Sequence, residues 1–594
     1  MPRTAEPETM PHYGLVQLSF FGFIIGVLTG FGAVFFRGLI AVIHNLFFLG
    51  VFSVHYDANL FTPASPWGAW VILAPVIGGM VVTALVNNFA PEARGHGVPE
   101  VMDAIYYREG LIRPIVAAVK SLASALSIGS GAAVGREGPI IQIGASLASS
   151  LGQLIALEPW QRITLVAGGA GAGIAATFNT PIGGVLFAIE LMMPEVSPRT
   201  FLPVALATGT ATFVGNWLLG TEPAFAVPPL PALGQHAVSI VTLALYGALG
   251  AVMGVAAAAF VRALTAAEDL FDRVRNPYLR HASGMLIVGL MMYAFFHSFG
   301  HYYVEGVGYA SVQAVLTGQL APLAILPLLY LGKLAATSIS LGSGASGGIF
   351  SPSLYMGATL GGAFGLLIDT VFPLPDANIA TFAIVGMAAM VAGGTGAAMT
   401  AVTMIFEMTR DYALVMPMIL AAALSIGVRR VLSRENIYTV KLVSRRHLIP
   451  KALHANMFLV RHASDIMNKD IVILPVDADF DAFLRLPENR GAMKHVVVMR
   501  DNRIFGVLRV NTSLRRGLED AYTGVTLGDV AQRDFTIARE DDIAFDVIKR
   551  MWRRGGAMAV VVAGTGVPTR ADVRGVITKE HVADSVAESI KDYA

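Results

Sequence analysis

The stretch "KSLASALSIGSGAAVGREGPIIQIGA", Lys120 to Ala145, returns without a gap as "KLAATSISLGSGASGGIFSPSLYMGA", Lys333 to Ala358. In this register Gly129 aligns with Gly342, Gly135 with Gly348, Pro139 with Pro352 and Gly144 with Gly357. A looser match pairs "AGGAGAGIAATFNTPIGGVLFAIE", ending at Glu190, with "AGGTGAAMTAVTMIFE", ending at Glu407. The chain thus carries two related halves, each broken by glycine and proline at corresponding points. Paired interruptions of this kind in apolar segments mark where transporters place a substrate.

Composition puts the halves in a membrane. Of 594 residues, 55% are hydrophobic and only 14% are charged, whereas a soluble domain has about 25% charged. Apolar runs recur at 14–36, 68–91, 163–189, 201–220, 334–367 and 413–428, and about 20 such residues make one span. A polytopic all-α membrane protein is predicted. The mixed-charge start "MPRTAEPETMPHYG" lacks the form of a signal peptide, and residues 1–13 are expected on the cytoplasmic side. A net charge of +1 gives no nucleic-acid footprint, and the absence of cysteine excludes disulfides and cysteine-ligated metal.

Within a bilayer, irregular backbone survives only where protein or an aqueous cavity surrounds it. A half-helix restarting after a glycine–proline break presents free N–H groups and the positive end of its dipole. Such ends attract anions. N-termini converging from both halves would hold a small anion without a full cation, whose grip would slow release. An anion is therefore the expected substrate. Arg136 and Glu137 stand in the first interruption, where a charge is costly unless matched or hydrated.

"GHGVPE" (Gly95 to Glu100), "GREGP" (Gly135 to Pro139), "GGIFSP" (Gly347 to Pro352) and Tyr438 resemble, in order and spacing, the anion-pathway motifs of the CLC chloride channels and transporters. The resemblance implies a transport domain over 14–445, built from inverted repeats of broken, tilted helices at 14–225 and 226–445. It also implies a homodimer in the cell membrane with one pore per subunit. Carried onto this chain, Glu137 is the gating glutamate, whose carboxylate competes with the anion for the outer site. Protonation removes its charge and couples anion movement to pH. Arg136 then meets the aqueous vestibule. Backbone N–H groups around Gly138, Ile349 and Phe350 would bind the anion, and the Tyr438 hydroxyl would donate from the inner side. Gly95, Gly97, Pro99, Gly135, Pro139, Gly348 and Pro352 belong to the pore motifs. Phe350 aligns with Glu137, so one half alone carries the gate.

Two positions depart from the family pattern. His96 stands where the family usually has serine, and it can either hold the anion or turn away. Leu191 occupies the position of the inner proton glutamate and cannot carry a proton. Uncoupled chloride conduction is therefore expected, with chloride/proton exchange by another inner route as the alternative. A nitrate- or fluoride-selective relative is the further variant that His96 leaves open. A membrane enzyme finds no nucleophile–base pair, metal cluster or cofactor motif.

Six Lys/Arg in "RRVLSRENIYTVKLVSRRH" (429–447) follow the last apolar run, and basic flanks mark the cytoplasmic side. After a linker at 446–463, residues 464–594 read as a soluble α/β region with its own repeat. "SDIMNKDIVIL…GAMKHVVVMRDNRIFGVLRV" is followed by "GDVAQRDFTIA…GAMAVVVAG…VRGVIT", with the "GAM" triplets at Gly491 and Gly556 in equivalent places. The order resembles paired cystathionine-β-synthase-type (CBS) modules, at 464–520 and 525–588. In nucleotide-binding modules a "G-h-h-T-x-x-D" end supplies Thr and Asp. Here "GVITKEH" keeps Thr578 but has His581, and "GVLRVNT" has Arg509 and Thr512. An adenine nucleotide and a ligand-free dimerisation domain are the two expectations; no other cofactor is implied. His297 and His301 flank Gly300 and read as a loop rather than a metal site. "GGAGAG" from Gly168 reads as close helix packing, not a dinucleotide loop.

Overall fold

The computed structural model describes residues 13–582 except 195, 228–238, 321–323, 372–377, 448, 450–460, 480–493, 511–524, 554–555, 557 and 565–567. The N-terminal segment up to residue 12, most of the expected linker, Gly491, Thr512 and the end of the second module lie outside the described residues. The chain divides into two units, Met1–Leu448 and Ile449–Ala594.

In the first unit the helices form two matching series. The first comprises α1 (Leu15–His44), α2 (Ala74–Phe89), α3 (Val98–Tyr107), α4 (Ile115–Gly129), α5 (Glu137–Leu154), α6 (Pro159–Phe178), α7 (Pro181–Phe187) and α8 (Pro198–Leu219). The second comprises α9 (Ile240–Phe271), α10 (Pro277–Phe299), α11 (Tyr309–Leu316), α12 (Ile325–Ser343), α13 (Phe350–Val371), α14 (Ile379–Thr395), α15 (Ala398–Thr409) and α16 (Val415–Leu432). Helix α17 (Ile437–Ser444) follows. Among the described residues, eight helical segments are long and apolar enough to cross a membrane.

Two of the apolar runs prove to be helix pairs. Run 163–189 breaks at Asn179, whose left-handed backbone (φ 58°) ends α6 before Pro181 starts α7. Run 334–367 breaks between Ser343 and Phe350, at the glycines of the second motif. The glycines that do not break helices let them touch. A Cβ on Gly144 of α5 would lie 2.2 Å from the Gly169 carbonyl of α6. At the counterpart crossing, a Cβ on Gly357 of α13 would lie 2.6 Å from the Gly386 carbonyl of α14. Lipid gives no hydrophobic drive between helices, so close backbone approach supplies the contact energy. This is the use made of "GGAGAG". Helices α6 and α14 are buried along almost their whole length, so protein rather than lipid surrounds the broken segments.

The second unit holds two copies of one small sheet. Strands β1 (Ile471–Pro475), β2 (Lys494–Arg500) and β3 (Arg503–Val510) lie in that order, first parallel and then antiparallel. Strands β4 (Phe535–Arg539), β5 (Met558–Val562) and β6 (Val573–Thr578) repeat the arrangement. The copies exchange edges: Asn468, before β1, pairs with Val576 of β6, and Gln532, before β4, pairs with Val507 of β3. Val497, Val507, Val560 and Val576 share one core. This twofold intertwining is the form that a CBS pair implies.

Candidate functional site

Three loops that precede helices are stitched into one junction. Gly135 and Gly348 exchange backbone hydrogen bonds at 2.7 and 2.6 Å. The Gly95 N–H donates to the Ala345 carbonyl, and Gly347 N–H donates back to Gly95, both at 3.2 Å. The starts of α3, α5 and α13 are thereby held together, as the anion reading requires. Gly138 shows how close they are: a Cβ there would lie 2.2 Å from the His96 carbonyl oxygen and 2.9 Å from Gly348 Cα.

Glu137 begins α5 with Arg136 as its N-cap, and its side chain is fully buried. Carboxylate Oε1 accepts from the Tyr309 hydroxyl. Oε2 accepts from the Ser351 N–H at 3.2 Å and from the Ser351 hydroxyl. Arg136 is a more distant partner, with Nε 3.9 Å from Oε1. Its guanidinium lies over the Tyr309 ring at 5.1 Å and borders a cavity of about 190 Å³, which Arg37, Asp57 and Asn216 also line. Of the N–H donors expected on α13, the one on the carboxylate is Ser351's, a residue beyond Phe350. The carboxylate reaches past the first residue of that helix.

His96 is buried, its ring centroid 5.9 Å from that of Tyr438. Among the described residues its Nδ1 has no hydrogen-bond partner. The start of α17, and with it Tyr438, is set by Asn436, whose side chain accepts from the N–H groups of Tyr438 and Thr439 at 2.9 and 2.8 Å. Behind the loops, two buried lysines do equivalent work. Lys120 donates to the Ala93 and Gly95 carbonyls at 3.0 and 2.7 Å. Lys333, its repeat mate, donates to Val304 and Gly306 at 3.0 and 2.7 Å.

Glu190 and Glu407 are reciprocal caps. Glu407 accepts from the N–H groups of Ile182 and Gly183 at the start of α7. Glu190 accepts from those of Met399 and Thr400 at the start of α15. Leu191, next to Glu190, sits half-buried in the π-type turn Ala188–Met192 that ends α7. His297 lies in the last turn of α10, whereas His301 lies beyond Gly300 and stacks on Phe61, so the two share no helix face. In the second unit Thr578 is buried, and its hydroxyl accepts from the His581 N–H at 3.3 Å. His581 stands where nucleotide-binding modules carry Asp.

Sequence reasoning missed Tyr309 and Ser351. Tyr309 follows Gly306 and Gly308, both left-handed like Gly95 and Gly97. That glycine spacing was the available signal, for it makes "GVGY" the repeat mate of "GHGV".

Helix N-termini from two halves, meeting around one buried carboxylate among membrane-crossing helices, define an anion-transport protein of the broken-helix class. The profile of the voltage gated chloride channel family matches residues 78–430, and the chain belongs to this family, that of the CLC proteins. It is 32% identical over 383 residues to the H(+)/Cl(-) exchange transporter ClcA of Vibrio parahaemolyticus, covering 63% of this chain and 79% of that protein. To the transporter of the same name from Salmonella typhi it is 31% identical over 420 residues, covering 68% and 84%. Among solved structures, a slow cyanobacterial Cl-/H+ antiporter matches with a TM-score of 0.63 at 25% identity, over 73% of this chain and 99% of that one. A eukaryotic CLC transporter shares the fold with a TM-score of 0.59 at 20% identity, over 96% of this chain and 98% of that one.

Proposed function

We infer that this CLC protein moves chloride across the membrane through a path between the starts of α3, α5 and α13, with Glu137 as its gate. The observation that carries the reading is the buried Glu137 carboxylate, held by hydrogen-bond donors at a meeting of helix N-termini. A carboxylate there occupies ground that suits any small anion. Protonation discharges it and frees the site. Gly138, Ile349 and Phe350 line the path beside it, and His96 and Tyr438 receive the anion on the inner side.

Leu191 supports uncoupled conduction, since it removes the family's inner proton acceptor. The second reading, chloride/proton exchange, is favoured by the names of the matched relatives. The protein acts as a homodimer with one path per subunit in the cell membrane, and the second unit, which follows the basic segment 429–447 in sequence, lies in the cytoplasm. Thr578 is the position at which the second unit would meet an adenine nucleotide.

Reconstitution into liposomes, with chloride efflux and proton uptake recorded together, tests the set. Uphill proton movement driven by a chloride gradient excludes the uncoupled mode. Glu137→Gln abolishes the pH dependence of flux; a parent-like profile in that variant overturns the gate.

A further inference from the structure

The close contacts of Glu137 come from the second half of the chain. Tyr309 is the first residue of α11 and Ser351 the second of α13. Their hydroxyls both donate to the carboxylate and lie 2.9 Å from each other. We propose that Tyr309 and Ser351 form a hydroxyl clamp that holds the gate closed and sets the pH at which it opens. The proposal rests on the reading of Glu137 as the gate.

An ionised carboxylate only accepts hydrogen bonds, whereas a protonated one must donate one. The Ser351 N–H can only donate, but the two hydroxyls can turn. Once Glu137 takes a proton on Oε1, it donates to the Tyr309 oxygen. The Tyr309 hydrogen then turns to Ser351 Oγ, and the Ser351 hydrogen stays on Oε2. No donor faces a donor, and each bond that had been strengthened by the carboxylate's charge becomes a neutral one of roughly half the strength. The clamp therefore loosens on protonation without a clash.

The Tyr309 ring is itself fixed. Arg136 covers one face, while Phe225 meets it edge-on at 5.2 Å and Phe178 lies 6.3 Å away. The titratable or charged groups facing the carboxylate are Arg136 at the head of α5, Tyr309 on α11 and Tyr438 on α17; α13 contributes the neutral Ser351. Arg37 of α1 stands behind Arg136 on the same cavity. In the first half the clamp positions are Val98 and Gly138, which have no hydroxyl. The clamp is thus a feature of one half, serving the gate of the other.

Chloride efflux from liposomes holding the full chain, followed against pH, is the test. Tyr309→Phe and Ser351→Ala each remove one donor to the ionised carboxylate and leave the Ser351 N–H in place. Each moves the pH of half-maximal flux upward by about one unit, the shift that one charge-assisted hydrogen bond carries. In the Glu137→Gln background the same substitutions leave the profile unchanged. Should Tyr309→Phe fail to reconstitute, Ser351→Ala carries the test alone. A parent-like profile in the clamp variants, with pH dependence lost in Glu137→Gln, overturns the clamp and leaves the gate standing. A parent-like profile in Glu137→Gln overturns both.

Discussion

Gly138→Ala asks whether the three motif loops form one rigid junction. The new Cβ would lie 2.2 Å from the His96 carbonyl oxygen, and ordinary contact begins near 3.4 Å, so the start of α5 and the His96 loop must part by about 1.2 Å. Neither neighbour can swing aside, because both atoms it meets, His96 O and Gly348 Cα, belong to backbone. The loops are also pinned to each other by the Gly135–Gly348 and Gly95–Ala345 hydrogen bonds. Overpacking of this kind costs about 1–3 kcal/mol. A displacement of about 1 Å at a working site costs on the order of 100-fold in rate, so at least a tenfold loss of chloride efflux is expected. Gly209→Ala in α8 is the control, since a Cβ there meets nothing within 4 Å. As a helix-interior replacement it stabilises by about 0.5–1 kcal/mol. Efflux from liposomes and thermal unfolding in detergent are measured for both variants. If Gly138→Ala conducts and unfolds like the parent, the junction yields easily and the converging-termini argument fails.

Two further outcomes are expected. His96→Ser shifts the preference between chloride and nitrate in anion-exchange efflux, because the imidazole Nδ1 is a buried polar atom beside Tyr438 without a partner among the described residues; unchanged selectivity would mean that the ring does not meet the anion. In the second unit, burial and then the neighbouring His581 push His495 down to about 4, against about 6.5 in an unfolded chain. From pH 6.5 down to 4 the unfolded chain binds more protons, so stability is lost as pH falls, by up to about 3 kcal/mol. The full-length His495→Gln variant should lose less protease resistance in its C-terminal unit between pH 7 and 5 than the parent does. An equal loss in both would refute this.

Legibility followed the kind of signal each residue leaves. Broken apolar runs with glycines in register disclosed the interruptions, and those interruptions do meet at Gly135 and Gly348. Glu190 and Glu407 end the two aligned segments, and each caps a helix of the opposite half. Lys120 and Lys333 open the two copies of the repeat, yet their role was not read. A lysine within an apolar run, present at the same register twice, implies carbonyl partners, but which carbonyls depends on loops distant in sequence. Tyr309 was harder still. Its meaning lies in a hydroxyl 172 residues away from the carboxylate it meets, and neither glycine spacing nor hydropathy reports a contact of that kind.

The two halves divide their labour between what they share and what they do not. Shared positions hold the scaffold: paired lysines under the loops, reciprocal glutamate caps, and glycine crossings of α5 on α6 and α13 on α14. Unshared positions carry the chemistry, since Glu137 faces Phe350 in the register, Gly138 faces Ser351, and Val98 faces Tyr309. A symmetric site with an acid in each half would set two like charges together, and one of them would be forced to stay protonated. Placing the acid in one half and its hydroxyl partners in the other avoids that conflict. With Glu137 as the proposed gate, it leaves a single group whose charge competes with the anion.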